Sequence, residues 1–180
     1  MFDEEGFYCI GDAGVFVDDN DPVQGIIFAG RVVEDFKLTT GTFVHVGSLR
    51  TDAIAAASPV MHDALVAGQD RAFVALLAWP NLHACRQIVG NPQASYEDVV
   101  GHPEVIACLK RGLEAHNKSS GGSSSLRVAR VMLMVEPPSI DGNELTDKGY
   151  INQRAGLERR AGLVERLYAK KPGDDVIVLQ

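Results

Sequence analysis

At 180 residues, with 46% hydrophobic and 23% charged side chains, the chain has the length and balance of one globular domain with a real core. A formal net charge of −7 sets it against a phosphate backbone and argues against a nucleic-acid partner. The apolar runs are too short to cross a membrane, no signal-peptide pattern opens the chain, and the widely spaced Cys9, Cys85 and Cys108 point to reduced thiols in the cytoplasm.

Residues 8–17 read as strand, turn, strand, with Gly11-Asp12 at the turn. Asp18-Asp19-Asn20-Asp21-Pro22 is a second turn. Residues 25–33 make a short apolar strand ending in charge, and residues 36–46, rich in β-branched and aromatic side chains, are extended. A helix is predicted over 51–57, capped by Thr51 or Asp52 and stopped before Pro59. Two apolar runs, 60–67 and 72–79, joined by Gly68-Gln69-Asp70, read as paired strands of a core sheet. Asn81 caps a helix through Val89, and Ser95 with Asp98 forms a capping box. Pro103 opens a longer helix with Ile106, Leu109 and Leu113 on its apolar face and Asn117 at its end.

Residues 118–125 are Gly/Ser-rich and read as a mobile loop. Within them Gly121-Gly122-Ser123 lacks the following Lys-Ser/Thr of a phosphate cradle and reads as linker. Residues 128–135 are a buried strand whose start is flanked by Arg127 and Arg130, with their side chains either in solvent or against a ligand's phosphates. Pro137-Pro138 closes the strand, and Asp141-Gly142 is a turn. The last helix is predicted over 152–169, with Leu157, Ala161, Val164 and Tyr168 along one stripe. This mixed order of elements predicts an α+β fold: a small mixed or antiparallel sheet flanked by helices, preceded by a short β-hairpin. His83-Ala84-Cys85 is an isolated pair of potential ligands and reads as structural, so no metal site is expected.

Three segments carry a functional signal. They are Gly6-Phe7-Tyr8-Cys9-Ile10-Gly11-Asp12, then Gly30-Arg31-Val32-Val33-Glu34-Asp35-Phe36-Lys37, then Thr146-Asp147-Lys148-Gly149-Tyr150-Ile151-Asn152-Gln153-Arg154. In this order and spacing they resemble the C-terminal end of AMP-forming acyl-CoA synthetases, with the nearest likeness to the feruloyl-CoA synthetase branch. Leu49-Arg50, where most of that family has an acidic pair, is typical of this branch. The resemblance runs from Phe2 to Ala169. It implies an enzyme that activates a carboxylic acid with ATP and magnesium to an acyl-adenylate and passes the acyl group to coenzyme A. Residues 1–32 would then end the large adenylate-forming domain, 33–172 would be the small mobile domain, and 173–180 a tail. The large N-terminal domain becomes the expected partner, and ferulate or another aromatic acid the expected substrate.

Residue by residue, the resemblance gives Asp12 the ribose diol of the nucleotide. A carboxylate there offers two acceptors to two neighbouring hydroxyls. Asp12 also reads simply as a turn residue. Arg31 is expected at the ribose too, and Val33 at the hinge, where many members have Asp or Lys. Gly41, in Lys37-Leu38-Thr39-Thr40-Gly41, is expected against the pantetheine arm, although this segment has one residue more than the usual pattern. The usual lysine column holds Tyr150, and Lys148 stands two residues earlier. If the backbone there is extended, both side chains share one face, and Lys148 reaches the same anion. Lys148 is thus the expected catalytic cation, with a solvated loop lysine as the alternative. Two classes stay open: part of an acyl-CoA ligase, inactive on its own, or a stand-alone non-catalytic remnant that binds nucleotide, coenzyme A or a protein.

Overall fold

A four-stranded mixed sheet holds the core, in the computed structural model that describes residues 2–121 and 123–180. Its strands are β5 (Met61–Ala67), β6 (Val74–Pro80), β7 (Val128–Leu133) and β8 (Ile177–Val178), side by side in that order. β6 runs parallel to β7, and the two outer pairs are antiparallel. Along the central strand, Val74, Leu76 and Ala78 enter one hydrophobic cluster, and Ala75, Leu77 and Trp79 enter another. Alternate residues of a strand point to opposite faces. A strand covered on both sides therefore reads as one unbroken apolar run.

Helices cover both faces. α1 (Val46–Ala56), α2 (Leu82–Val89), α3 (Tyr96–Val100) and α4 (Pro103–Ser119) close one side. α5 (Gln153–Arg159) and α6 (Ala161–Leu167) close the other, where Ile151 and Leu167 are buried against Leu77 and Met132. The predicted caps of two helices are present. Asn81 accepts the Ala84 N–H at the start of α2, and Ser95 and Asp98 make a reciprocal capping box on α3. Ahead of α1 in the chain lie two small ribbons, β1 (Asp12–Phe16) with β2 (Ile26–Arg31) and β3 (Phe36–Lys37) with β4 (Phe43–Val44), and the second buries Phe36 and Val44 in the core. The α+β class expected from the element order is the class observed.

Several local readings change. Residues 8–10 form no strand beyond a single Phe2–Tyr8 bridge, and β1 starts at Asp12. The first helix begins at Val46, five residues before the predicted cap, because the carboxylate of Asp35 accepts the Val46 N–H at 2.9 Å. A cap supplied from eleven residues upstream leaves no local signature. Asn117 does not end α4. It is buried within it, donates to the Val128 carbonyl at 2.8 Å and accepts the Val128 N–H at 2.9 Å. Arg130 is not solvated: it donates to the Leu167 and Ala169 carbonyls and lies over the Phe73 ring. The predicted last helix breaks at Arg160 into α5 and α6. Residues 173–180 contain β8, and Leu179 packs in the core. In the linker, Ser124 donates to the Thr42 hydroxyl at 3.2 Å, while Gly122 lies outside the described residues.

Asn117→Ala removes both partners of the first β7 residue and leaves its backbone groups buried and unpaired. The expected loss is about 1–3 kcal/mol in unfolding free energy, read from urea denaturation.

Candidate functional site between the N-terminal ribbon, helix α1 and the 145–151 hairpin

Residues 145–151 form a tight hairpin. Leu145 bridges Ile151, the Thr146 N–H donates to the Tyr150 carbonyl at 2.8 Å, and Gly149 donates to the Thr146 carbonyl. Gly149 has φ +79°, a left-handed conformation that glycine adopts without penalty. The resulting type of turn, closed by a left-handed glycine, is a common three-residue hairpin tip. Lys148 therefore sits at a tip rather than on extended backbone, and it is exposed. The premise that residues 148 and 150 share a face does not hold in this geometry. Tyr150, on the returning arm, lines a cavity.

A buried ion pair holds the base of this hairpin. Glu144 and Arg160 have side chains 0% and 3% exposed. Arg160 grips the carboxylate with two parallel donors, Nε to Oε1 at 2.6 Å and Nη2 to Oε2 at 2.9 Å. The Ser139 N–H adds a third donor at 2.8 Å. The Arg160 fork also donates to the Pro137 carbonyl and lies over the Trp79 ring. Meanwhile the Glu144 backbone accepts from Asn152, just before α5. Burial alone would push the Glu144 carboxyl up. The hydrogen bonds from Arg160 and Ser139, with the charges of Arg160 and Arg159, outweigh burial and hold it below the ordinary glutamate value.

α5 is pinned to the edge strand in turn. The buried Gln153 amide donates to the Val66 carbonyl at 2.6 Å and accepts its N–H at 3.1 Å, as a neighbouring strand would. Gly156 lies flat on Leu65, where an added Cβ would come within 2.6 Å of the leucine side chain.

The opposite wall comes from the N-terminal ribbon. Asp12 and Arg31 are register partners across β1 and β2, so the two expected ribose residues stand side by side. Gly30 packs backbone to backbone on the first turn of α1: a Cβ on Gly47 would lie 2.4 Å from the Gly30 Cα. Asp35, 4% exposed in its side chain, ties the following segment down through Val46 and His45. Val33, the expected hinge, lies in a short 3-10 turn and is 84% exposed. Gly41 occupies the β3–β4 turn with φ +81° and no atom near its missing Cβ.

Between these walls is a cavity of about 310 Å³, lined by Arg31, Glu34, Arg50, Thr51, Thr146 and Tyr150 among others. Arg31 and Glu34 also border a second cleft of about 650 Å³, whose far side includes Gln153 and Arg154. Burial pushes the Glu34 carboxyl up, against the opposing pull of Arg50 and Arg31. Among the described residues no cluster of three or more His, Cys, Asp or Glu side chains fits a metal ion. His83 is exposed beside Gln87, whereas Cys85 is buried against the Val60 carbonyl, so that pair does not converge.

The AMP-binding enzyme C-terminal domain family matches residues 46–172. The chain belongs to that family. Its fold is also that of the adenylation domain of carboxylic acid reductase from Segniliparus rugosus, solved with AMP and a co-purified carboxylic acid, at TM-score 0.68 and 22% identity. The corresponding domain from Mycobacterium chelonae is alike to the same degree. Each match covers 94% of this chain and 24% of the other. Coronafacic acid ligase from Pectobacterium brasiliense is similar at TM-score 0.51 and 15% identity, over 99% of this chain and 27% of that one. The chain thus spans about a quarter of the length of these structures. No curated protein matches it.

Membership confirms the C-terminal domain of an AMP-binding enzyme and leaves adenylate formation and the feruloyl and coenzyme A assignments to the proposal below. Sequence reasoning missed Asp35, Glu144, Gln153 and Arg160. Each is a polar side chain whose partner lies outside its own local segment, so its sequence neighbours give no sign of burial. Arg50 stood out only as a departure from the family's acidic pair.

Arg160→Met leaves the Glu144 carboxylate buried without its partner and should cost about 3–5 kcal/mol, whereas Glu144→Leu combined with Arg160→Met should recover most of that loss. Because the folded carboxyl titrates below its unfolded value, its contribution is present above the ordinary glutamate pKa and is lost as pH falls through the folded one. Urea midpoints measured from neutral to acid pH should fall less steeply in the double variant than in the parent chain.

Proposed function

We propose that this chain works as the mobile C-terminal part of an enzyme that activates a carboxylic acid with ATP to an acyl-adenylate and transfers the acyl group to coenzyme A. The acid is of the aromatic, ferulate-like class. The observation that supports this best is the convergence of the Asp12–Arg31 pair and the 145–151 hairpin on neighbouring walls, joined by one cavity at Arg31. A ribose held by Asp12 and Arg31 would leave its phosphate directed toward that hairpin. A large adenylate-forming domain is the partner in this reading. The β1–β2 ribbon favours it, because Val15 and Phe16, successive and hence on opposite faces, are both exposed, as are Ile26, Ile27 and Phe28. Apolar side chains on both faces of a two-stranded ribbon are those of strands covered on both sides.

In this mechanism Lys148, carried at a hairpin tip, reaches outward from the domain to the acid carboxylate and the α-phosphate. A positioned cation there stabilises charge as it shifts during adenylation. The ribose hydroxyls hold to Asp12 and Arg31. Val33 absorbs the rotation that exchanges this face for the one bearing Gly41, which lies open to a pantetheine arm. Magnesium accompanies ATP in such chemistry, and among the described residues no three His, Cys, Asp or Glu side chains cluster to hold it.

Two outcomes test the reading. The 180-residue chain alone, mixed with ATP, magnesium, ferulate and coenzyme A, should form no thioester by absorbance; turnover at an ordinary enzyme rate would refute the need for a partner domain. Joined to its large domain, Lys148→Ala should slow adenylate formation on the order of 100- to 1000-fold and leave thioester formation from supplied acyl-adenylate largely intact. If Tyr150→Phe cripples adenylation while Lys148→Ala does not, the assignment to Lys148 is wrong.

A further inference from the structure

We propose that Arg50, with Arg31 and the Tyr150 hydroxyl, forms a binding site for a phosphate group in the cavity between α1, the end of β2 and the 145–151 hairpin. The starting point is one atom. Arg50 Nη1 is the only buried side-chain nitrogen or oxygen among the described residues that has no hydrogen-bond partner. A buried guanidinium donor left without an acceptor is costly, and such an atom in a native fold calls for a cause. The nearest carboxylate is Asp63, 3.9 Å from Arg50 Nε and too far for a hydrogen bond.

The rest of the lining is rich in donors. Arg31 and the Tyr150 hydroxyl make no side-chain hydrogen bond or ion pair among the described residues, and both residues line the same cavity. Thr146 accepts the Tyr150 N–H on its hydroxyl oxygen, which leaves its proton for another acceptor. Thr51, by contrast, has already given its proton to the Gly47 carbonyl. One carboxylate, Glu34, shares the space, but burial disfavours its charge. Two permanent cations thus share the cavity with one reluctant acid, while Asp63 stands 3.9 Å from Arg50 Nε outside the lining. A phosphate matches them in charge and accepts at several oxygens at once. A small turn of the guanidinium toward such a ligand would give Nη1 the acceptor it lacks.

This site is read from the chain's own residues. The adenylation reading supplies only the two sources of the group, a nucleotide or coenzyme A. The test therefore needs no partner domain, and its failure is separate from a failure of Lys148. Inorganic phosphate, AMP and coenzyme A are titrated into the 180-residue chain at constant ionic strength, with sodium chloride as reference, and backbone amides are followed by NMR. Saturable shifts are expected at millimolar phosphate around residues 31, 50 and 146–151. Arg50→Gln should weaken binding about tenfold or more. Glu34→Gln, which removes the competing carboxylate, should tighten it. Tighter binding of AMP than of coenzyme A assigns the group to the nucleotide; the reverse order assigns it to coenzyme A. Should Arg50→Gln melt early, Arg31→Gln on the exposed wall carries the same expectation. Shifts no larger than those with chloride, or Arg50→Gln and Arg31→Gln binding phosphate as the parent chain does, overturn the proposal.

Discussion

The buried pair of Glu144 and Arg160 is the interaction on which the candidate site depends. It joins the stretch before the hairpin to the break between α5 and α6, with Trp79 of the sheet as its floor. A charge pair sealed from water is not a general source of stability, since the desolvation of two ions offsets most of their attraction. What it does is specify a place. The carboxylate has three donors in fixed directions, and the guanidinium has a planar fork that accepts only one orientation of its partner. Hence the hairpin base lies in one position over the sheet, and its tip can be exposed without being loose at the root.

The other wall is fixed by close approach rather than by charge. Gly30 and Gly47 touch through their backbones, so β2 and α1 lie nearer than any side chain would permit. Asp35 secures the same junction with a carboxylate that caps α1. Together they set Arg31 against the cavity while leaving Val33 outside, in solvent. In the proposed function this is a useful division. The residue expected to turn makes few contacts, and the residues expected to hold the nucleotide stand beside a rigid seam. In the proposed function the exposed apolar faces of the β1–β2 ribbon are the surface that meets the large domain. A two-stranded ribbon on its own is marginal in water, and such an interface would cover it.

Local chemistry alone determined a good deal here. The runs that became β5 and β6, the Asn81 and Ser95 caps, Pro103 at the head of α4 and the α+β class all follow from periodicity and short-range hydrogen bonding. The family was legible by resemblance instead, and of the three segments that carry it, residues 146–154 lie within the matched stretch 46–172. Tertiary structure decided the rest, for a common reason: the partner lies far away in the chain. The start of α1 waits on Asp35, the burial of Asn117 on Val128, and the role of residues 173–180 on a free edge of β7. Lys148 and Tyr150 part company because a turn intervenes where extended backbone was assumed. Glu144 and Arg160 read as solvated charges until folding brings them together over Trp79, since nothing within a few residues of either one records a contact made sixteen residues away.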